Sequence, residues 1–283
     1  MNLSVDAAAS YAQRHKPNAL LIVRAGKTLL EAYAPAFDEE APHALYSGTK
    51  AFWGVTALAA ERDGLLHLDE CVADTFAQWS DDARKRQVTL RQLLQLTAGI
   101  GFGGLGNAVP AYDRALAIEL RNEPGTTFTY GGIPLQIFGA VLAQKLAARK
   151  RTPHEYLRER ILDPIGVRIA SWRTLKDGTQ PLPTGAFLTA REWVKYGQYV
   201  AANARELASC FVGSHANPRY GLAWWLAPPN VPDDLVYASG AGGQALYVVP
   251  SLDLTIVRFG ANASFKHEAF LKRLFGHPST GSG

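Results

Sequence analysis

The order of hydrophobic patterns along the chain constrains its fold more than any single residue does. A short helix is expected at 3–15, then two strand patterns at 19–24 and 28–33, joined by Ala25-Gly26-Lys27 with its permissive glycine. From about 68 to 178 the apolar spacing is mostly helical, with helices expected near 89–94, 111–121, 133–149 and 153–162. After Thr184 a helix at 189–203 leads into strand patterns at 220–227, 235–239, 244–249 and 254–260, and a last helix at 264–275. The last two strands alternate and meet at Pro250-Ser251-Leu252-Asp253, a meander connection. A hairpin at one end and antiparallel strands at the other most simply share one sheet. The chain therefore predicts an α+β fold, an antiparallel β-sheet flanked by helices. The sheet domain would take 1–66 and 181–283, with an all-helical subdomain over 67–180 to one side. The junction between two such parts is a usual place for a ligand cleft.

Composition removes several classes of function. Apolar residues make up 47% of the 283 and charged residues 19%, the balance of an ordinary soluble globule with ample core. The formal charge of +4 is modest, and the one dense basic run, Arg149-Lys150-Arg151, reads as a solvated helix end, so no nucleic-acid partner is expected. No segment approaches 18 apolar residues, so no membrane partner is expected either. Cys71 and Cys210 match no metal-ligand spacing and make no disulfide framework; they read as buried thiols rather than a single bridge. The histidines, among them His43, His67, His154 and His215, show no metal spacing and read as surface or loop residues, so neither a metal nor a cofactor is expected. The N-terminus has no basic segment followed by an apolar run. That predicts a cytoplasmic protein, or a periplasmic one if a signal sequence was removed. Residues 279–283 read as a disordered end or a cloning scar. The sequence carries no signal for an oligomeric state.

One short stretch carries chemistry. Tyr46-Ser47-Gly48-Thr49-Lys50 opens a helical pattern that runs to about Glu61 and stops at Gly64. Ser47 stands where a helix N-cap is expected, and on a helix residues three apart share a face. Ser47 and Lys50 are thus held together at the positive end of a helix dipole. Serine alone is a poor nucleophile, but an amine whose pKa is lowered by burial can take its proton. Taken by itself the pair also fits a helix cap followed by a solvated lysine. Phe52, Val55, Leu58 and Ala59 make this a core helix, so the pair would face a cleft rather than bulk water.

The surrounding segments give the pair its context. Glu61-x-x-Gly64-Leu65-Leu66-x-Leu68-Asp69 follows it, then Val88-Thr89-Leu90-Arg91-Gln92-Leu93-Leu94-Gln95-Leu96-Thr97-Ala98-Gly99. Pro124-Gly125-Thr126-x-Phe128-x-Tyr130 comes next, and Tyr220-Gly221-Leu222-Ala223-Trp224-Trp225 and Gly242-Gly243-Gln244 lie near the C-terminus. In their order and spacing these segments resemble the serine β-lactamase and penicillin-binding-protein-like hydrolases, in which S-x-x-K is a signature. The resemblance is to the class C β-lactamase and family VIII carboxylesterase branch, and it covers nearly the whole chain. It implies the β-lactamase/DD-peptidase type of fold and an acyl-enzyme on Ser47. Lys50 would be the base, or the cation that keeps Tyr130 ionised; Tyr130 would exchange protons with the serine, the leaving group and the deacylating water.

The oxyanion hole implied is two backbone N–H groups, that of Ser47 and one within Gly240–Gly242, assigned to Ala241. Gly131, Gly132, Gly240, Gly242, Trp225 and Phe102 are the expected substrate-binding positions, with Trp224, Trp172 and Tyr112 as further candidate walls. The sequence departs from the family in two places. Gly131-Gly132 replaces a Ser-Asn pair, and Tyr237-Ala238-Ser239-Gly240-Ala241-Gly242-Gly243 lacks the basic residue that would bind a substrate carboxylate. The partner expected is therefore a small-molecule ester or neutral amide. β-Lactamase or D-Ala-D-Ala peptidase activity, acyl transfer, and a catalytically inactive binding module are the alternatives.

Overall fold

The computed structural model describes residues 2–276; the tail at 279–283 lies outside them. The two ends of the chain do share one sheet. Helix α1 (Val5–Arg14) precedes β1 (Pro17–Arg24) and β2 (Lys27–Tyr33). At the other end lie β6 (Trp225–Leu226), β7 (Val236–Gly240), β8 (Gln244–Val249) and β9 (Leu254–Gly260), followed by α8 (His267–Phe275). The six strands run in the order β2-β1-β9-β8-β7-β6, every neighbour antiparallel. A three-stranded ribbon unread in the sequence pairs β3 (His43–Ala44) and β4 (Ser171–Trp172) with β5 (Ala186–Leu188).

Helices cover both faces, which is why the central strands read as continuous apolar runs. Leu21, Val23, Leu246, Val248, Val257 and Phe259 face the large core that holds α2 (Ala51–Arg62) and α7 (Ala190–Ala202). Leu20, Ile22, Tyr247, Val249 and Ile256 face α1 and α8. The intervening helices are α3 (Leu90–Leu94), α4 (Tyr112–Leu116), α5 (Ile133–Leu146) and α6 (Pro153–Leu157), the last continued by a π turn to Leu162. The large core runs without a break from the sheet face into these helices. Thr89, Thr152 and Thr189 cap α3, α6 and α7 by accepting from backbone N–H groups three residues on.

Three expectations are corrected. The 111–121 helix ends at Leu116, because Ile100 bridges Leu120 and Arg121 N donates to Gly99 O, drawing the tail into loop pairing. The 220–227 strand shrinks to Trp225–Leu226: Ala223 is left-handed (φ 63°), and its N–H is spent on Leu94 O and Gly221 O. The last helix starts only at His267, after an Asn262 side-chain turn. Cys71 and Cys210 are free thiols, Cys210 buried and Cys71 half-buried. Among the described residues no helix is long and apolar enough to cross a membrane, and no cluster of three metal-ligating side chains occurs.

Candidate active site

Ser47 does not cap α2. It lies inside a 3-10 turn, Tyr46–Lys50, that leads directly into α2, and the turn has no side-chain cap. As its second residue, Ser47 has no partner for its N–H within the turn. Tyr46, just before it, is left-handed (φ 48°), a conformation that costs a non-glycine residue of order 1 kcal/mol. The tight turn keeps Ser47 and Lys50 adjacent, with Lys50 Nζ 3.0 Å from Ser47 Oγ.

Lys50 is 1% exposed. Its other hydrogen bond goes to Pro183 O at 3.2 Å, and Nζ stands 5.0 Å from the centre of the Tyr130 ring. Burial disfavours the charged amine and brings its pKa down to about 7. Tyr130 shares a hydrogen bond with the Ser47 side chain. Its own burial raises the phenol pKa, and the Ser47 bond offsets part of that. Trp225 stacks on Tyr130 (5.8 Å between centroids, 21° between planes), and Tyr220 meets it edge-on. Ser47 and Lys50, neighbours on one turn, are thus joined by Tyr130 from a distant loop.

The segment Pro181-Leu182-Pro183 went unread in the sequence. Its successive carbonyls accept from Trp172 Nε1 (2.9 Å), Trp53 Nε1 (2.6 Å) and Lys50 Nζ, while Gln136 Oε1 accepts from Leu182 N (2.9 Å). Two prolines in three residues leave acceptors in excess of donors, and that was the available signal.

On the sheet side, the end of β7 packs on the Tyr46–Lys50 turn. Gly240 is pressed against the Leu45 carbonyl so closely that a Cβ there would overlap it. Ala241 and Gly242 follow in the turn to β8, beside the strand end that adjoins Ser47. Gly131 and Gly132 are buried beneath the backbone of Gly103 and Gly104: Gly131 bridges Gly103, and Gly132 N donates to Gly103 O at 2.9 Å. Close packing therefore accounts for both glycines. Phe102, 77% exposed, lines a surface depression with Arg114, Ile118, Arg121 and Ile133. Trp224 is core, Trp172 packs on Trp53, and Tyr112 packs against Gly139.

The reading of the histidines as surface residues is wrong for three of them. His43 stacks on Phe259, and His154 sits edge-on to Trp53 and Trp172, where burial takes its pKa down to about 3. His267 bridges Ser239 Oγ (3.0 Å) and Tyr247 Oη (2.6 Å) behind β7, with its pKa lowered to about 4 by burial. Long-range packing decides these burials, and no local pattern announces them.

This fold, an antiparallel sheet with helices on both faces and a helical part beside it, is that of the β-lactamase and penicillin-binding-protein group. The Beta-lactamase family profile matches residues 7–262, and the chain belongs to that family. A search of curated proteins gives no match. Among solved structures, a class C β-lactamase from Rhodobacter sphaeroides superposes with a TM-score of 0.72 at 16% identity, over 95% of this chain and 96% of the other. EstCE1, a hydrolase with promiscuous acyltransferase activity, gives 0.75 at 17% identity, over 95% and 97%. A D-stereospecific amidohydrolase from Streptomyces gives 0.76 at 14%, over 96% and 98%. Three different activities on one backbone mean that the likeness specifies the fold, and chemistry has to be argued from the site.

Proposed function

We propose that this protein hydrolyses carboxylic esters or small neutral amides through an acyl-enzyme on Ser47. The observation that carries the reading is Lys50 Nζ, 3.0 Å from Ser47 Oγ, on an amine that burial brings to about 7. Burial disfavours both the ammonium and the phenolate, so above about pH 7 the pair rests as neutral amine and neutral phenol. Lys50 is then the base and Tyr130 the acid.

In acylation, Ser47 Oγ bonds to the substrate carbonyl carbon as its proton passes to Lys50. The oxyanion is held by the N–H groups of Ser47 and Ala241. Collapse breaks the bond to the leaving alkoxide or amine, which takes the Tyr130 proton; Lys50 restores it. Water repeats the sequence on the acyl-enzyme, and the acid leaves.

Two features support a neutral substrate. Ala238 and Ser239 stand where the family carries a cation, and the basic group behind them, His267, is engaged by Ser239 and Tyr247. The flank beside Tyr130 is aromatic, Trp225 stacking in turn on Tyr237 at 6.2 Å, which suits an apolar acyl or leaving group. A second reading, transfer of the acyl group to an alcohol, takes support from the activity named for EstCE1.

The test is turnover of p-nitrophenyl esters of several chain lengths, and of nitrocefin, by the wild type and Ser47→Ala. Ester turnover lost in the variant is the expected result. A wild type that turns over no ester and takes no label from a fluorophosphonate rules the reading out. Adding a primary alcohol and measuring the product ester separates transfer from hydrolysis.

A further inference from the structure

The turn from Gly240 to Gly243 is held from behind, and how it is held bears on the oxyanion hole. Every one of its carbonyls is engaged. Gly240 O accepts from Gly243 N (3.2 Å), and Ala241 O accepts from Gln244 Nε2 (3.0 Å). Gly242 O accepts from Arg258 Nη1 (3.3 Å) and Asn262 N (3.1 Å), and Gly243 O accepts from Arg258 Nη1 (2.6 Å). Gln244 is itself fixed by Gly260, whose N–H donates to its Oε1 at 3.0 Å and whose carbonyl accepts from its Nε2.

Arg258 is fully buried on the face of the sheet covered by α1 and α8. Its guanidinium lies 3.9 Å from the Phe265 ring centre, and its third carbonyl partner is His15 O at 3.1 Å. A buried charge held only by neutral groups, three carbonyls and a ring face, is expensive for mere packing. The glycines fit around it: a Cβ on Gly243 or Gly260 would crowd the guanidinium at 2.6 and 2.8 Å.

We propose that Arg258 and Gln244 are positioning residues for the oxyanion hole. They pull the turn's carbonyls inward, so that the N–H groups of Ala241 and Gly242 face the Ser47 side. They also polarise them. Arg258 donates to the carbonyl of the Gly242–Gly243 peptide, whose N–H donates to the carbonyl of the Gly240–Ala241 peptide, whose N–H is that of Ala241. Charge is relayed along two peptide groups to the donor, and a chain of hydrogen bonds of this kind strengthens its last member. Gln244 acts likewise through the Ala241–Gly242 peptide on the Gly242 N–H.

This inference rests on the acyl-enzyme reading, and the experiment separates the two. Arg258→Met, Arg258→Lys and Gln244→Met are compared with Ser47→Ala for folding, for kcat and KM on p-nitrophenyl butyrate, and for the inhibition constant of phenylboronic acid, which forms a tetrahedral adduct. Folded Arg258→Met should lose about 10- to 100-fold in kcat, less than loss of an oxyanion donor itself, with KM within about threefold. Its affinity for the boronate should fall by a similar factor, and Arg258→Lys should recover most of both. A fall in kcat with unchanged boronate affinity, or wild-type values for both, overturns the proposal. If Arg258→Met does not fold, Gln244→Met is read by the same two quantities, and wild-type values there overturn it. Turnover retained in Ser47→Ala sinks the acyl-enzyme reading itself, whereas an inert Ser47→Ala beside a wild-type Arg258→Met sinks only the positioning role.

Discussion

On the helical side of the site the proposed working groups are side chains; on the sheet side they are backbone N–H groups. Ser47, Lys50 and Tyr130 come from a 3-10 turn and a loop, and their chemistry depends on how far burial moves their pKa values. Ala241 and Gly242 come from a turn in which Gly240 and Gly242 let backbone lie against backbone and Gly243 makes room for the Arg258 guanidinium. Their direction is set by Arg258 and Gln244. The difference is physical. A titratable side chain can be tuned by removing water, but an amide N–H does not titrate and can only be aimed and polarised.

The most direct way to break this contrast is on the helical side. Ser47→Ala should lower ester kcat by about 10⁴-fold or more, since the acyl-enzyme has no other nucleophile; a loss under tenfold removes the chemical half of the comparison. Lys50→Met should lose on the order of 10³-fold in kcat/KM and yet gain stability. In the wild type, kcat/KM should fall as pH drops through about 7, because the base must be neutral.

The same shift fixes the sign for stability. The folded pKa lies below the unfolded value, so the penalty for burying the ammonium is complete below about 7 and fades as pH rises toward 10.5. The melting-point advantage of Lys50→Met should therefore shrink between pH 6 and pH 9, by the equivalent of about 2–3 kcal/mol. An advantage independent of pH would mean that the amine is not desolvated.

The sheet side is broken through its glycines. Gly240→Ala places a methyl on the Leu45 carbonyl and should cost about 2–4 kcal/mol, measured by denaturant unfolding, with kcat lowered in whatever remains folded. Gly132→Asn, which restores the amide common in the family, should be comparably destabilising, because a Cβ there overlaps Gly104 O. Unchanged stability in that variant would show that the Gly103–Gly104 segment yields easily. The smallest effect is expected at Tyr46: glycine relieves the left-handed strain, so Tyr46→Gly should change stability by no more than about 1 kcal/mol.

Much of this arrangement follows from local order. The largely apolar runs at 244–249 and 254–260, joined at 250–253, give β8 and β9, and the threonines at 89, 152 and 189 cap their helices because their oxygens reach backbone donors three residues away. The i, i+3 spacing brings Ser47 and Lys50 together in the 3-10 turn as it would in an α-helix. These are interactions within one turn or one strand, and one sequence contains them whole. Only the tertiary structure decided that Lys50 loses its water, that Pro183 rather than a carboxylate receives it, that Gly104 leaves no room beside Gly132, and that Arg258 stands behind Gly242 and Gly243. Each of those depends on a partner far along the chain, and desolvation belongs to the packed whole rather than to any segment of it.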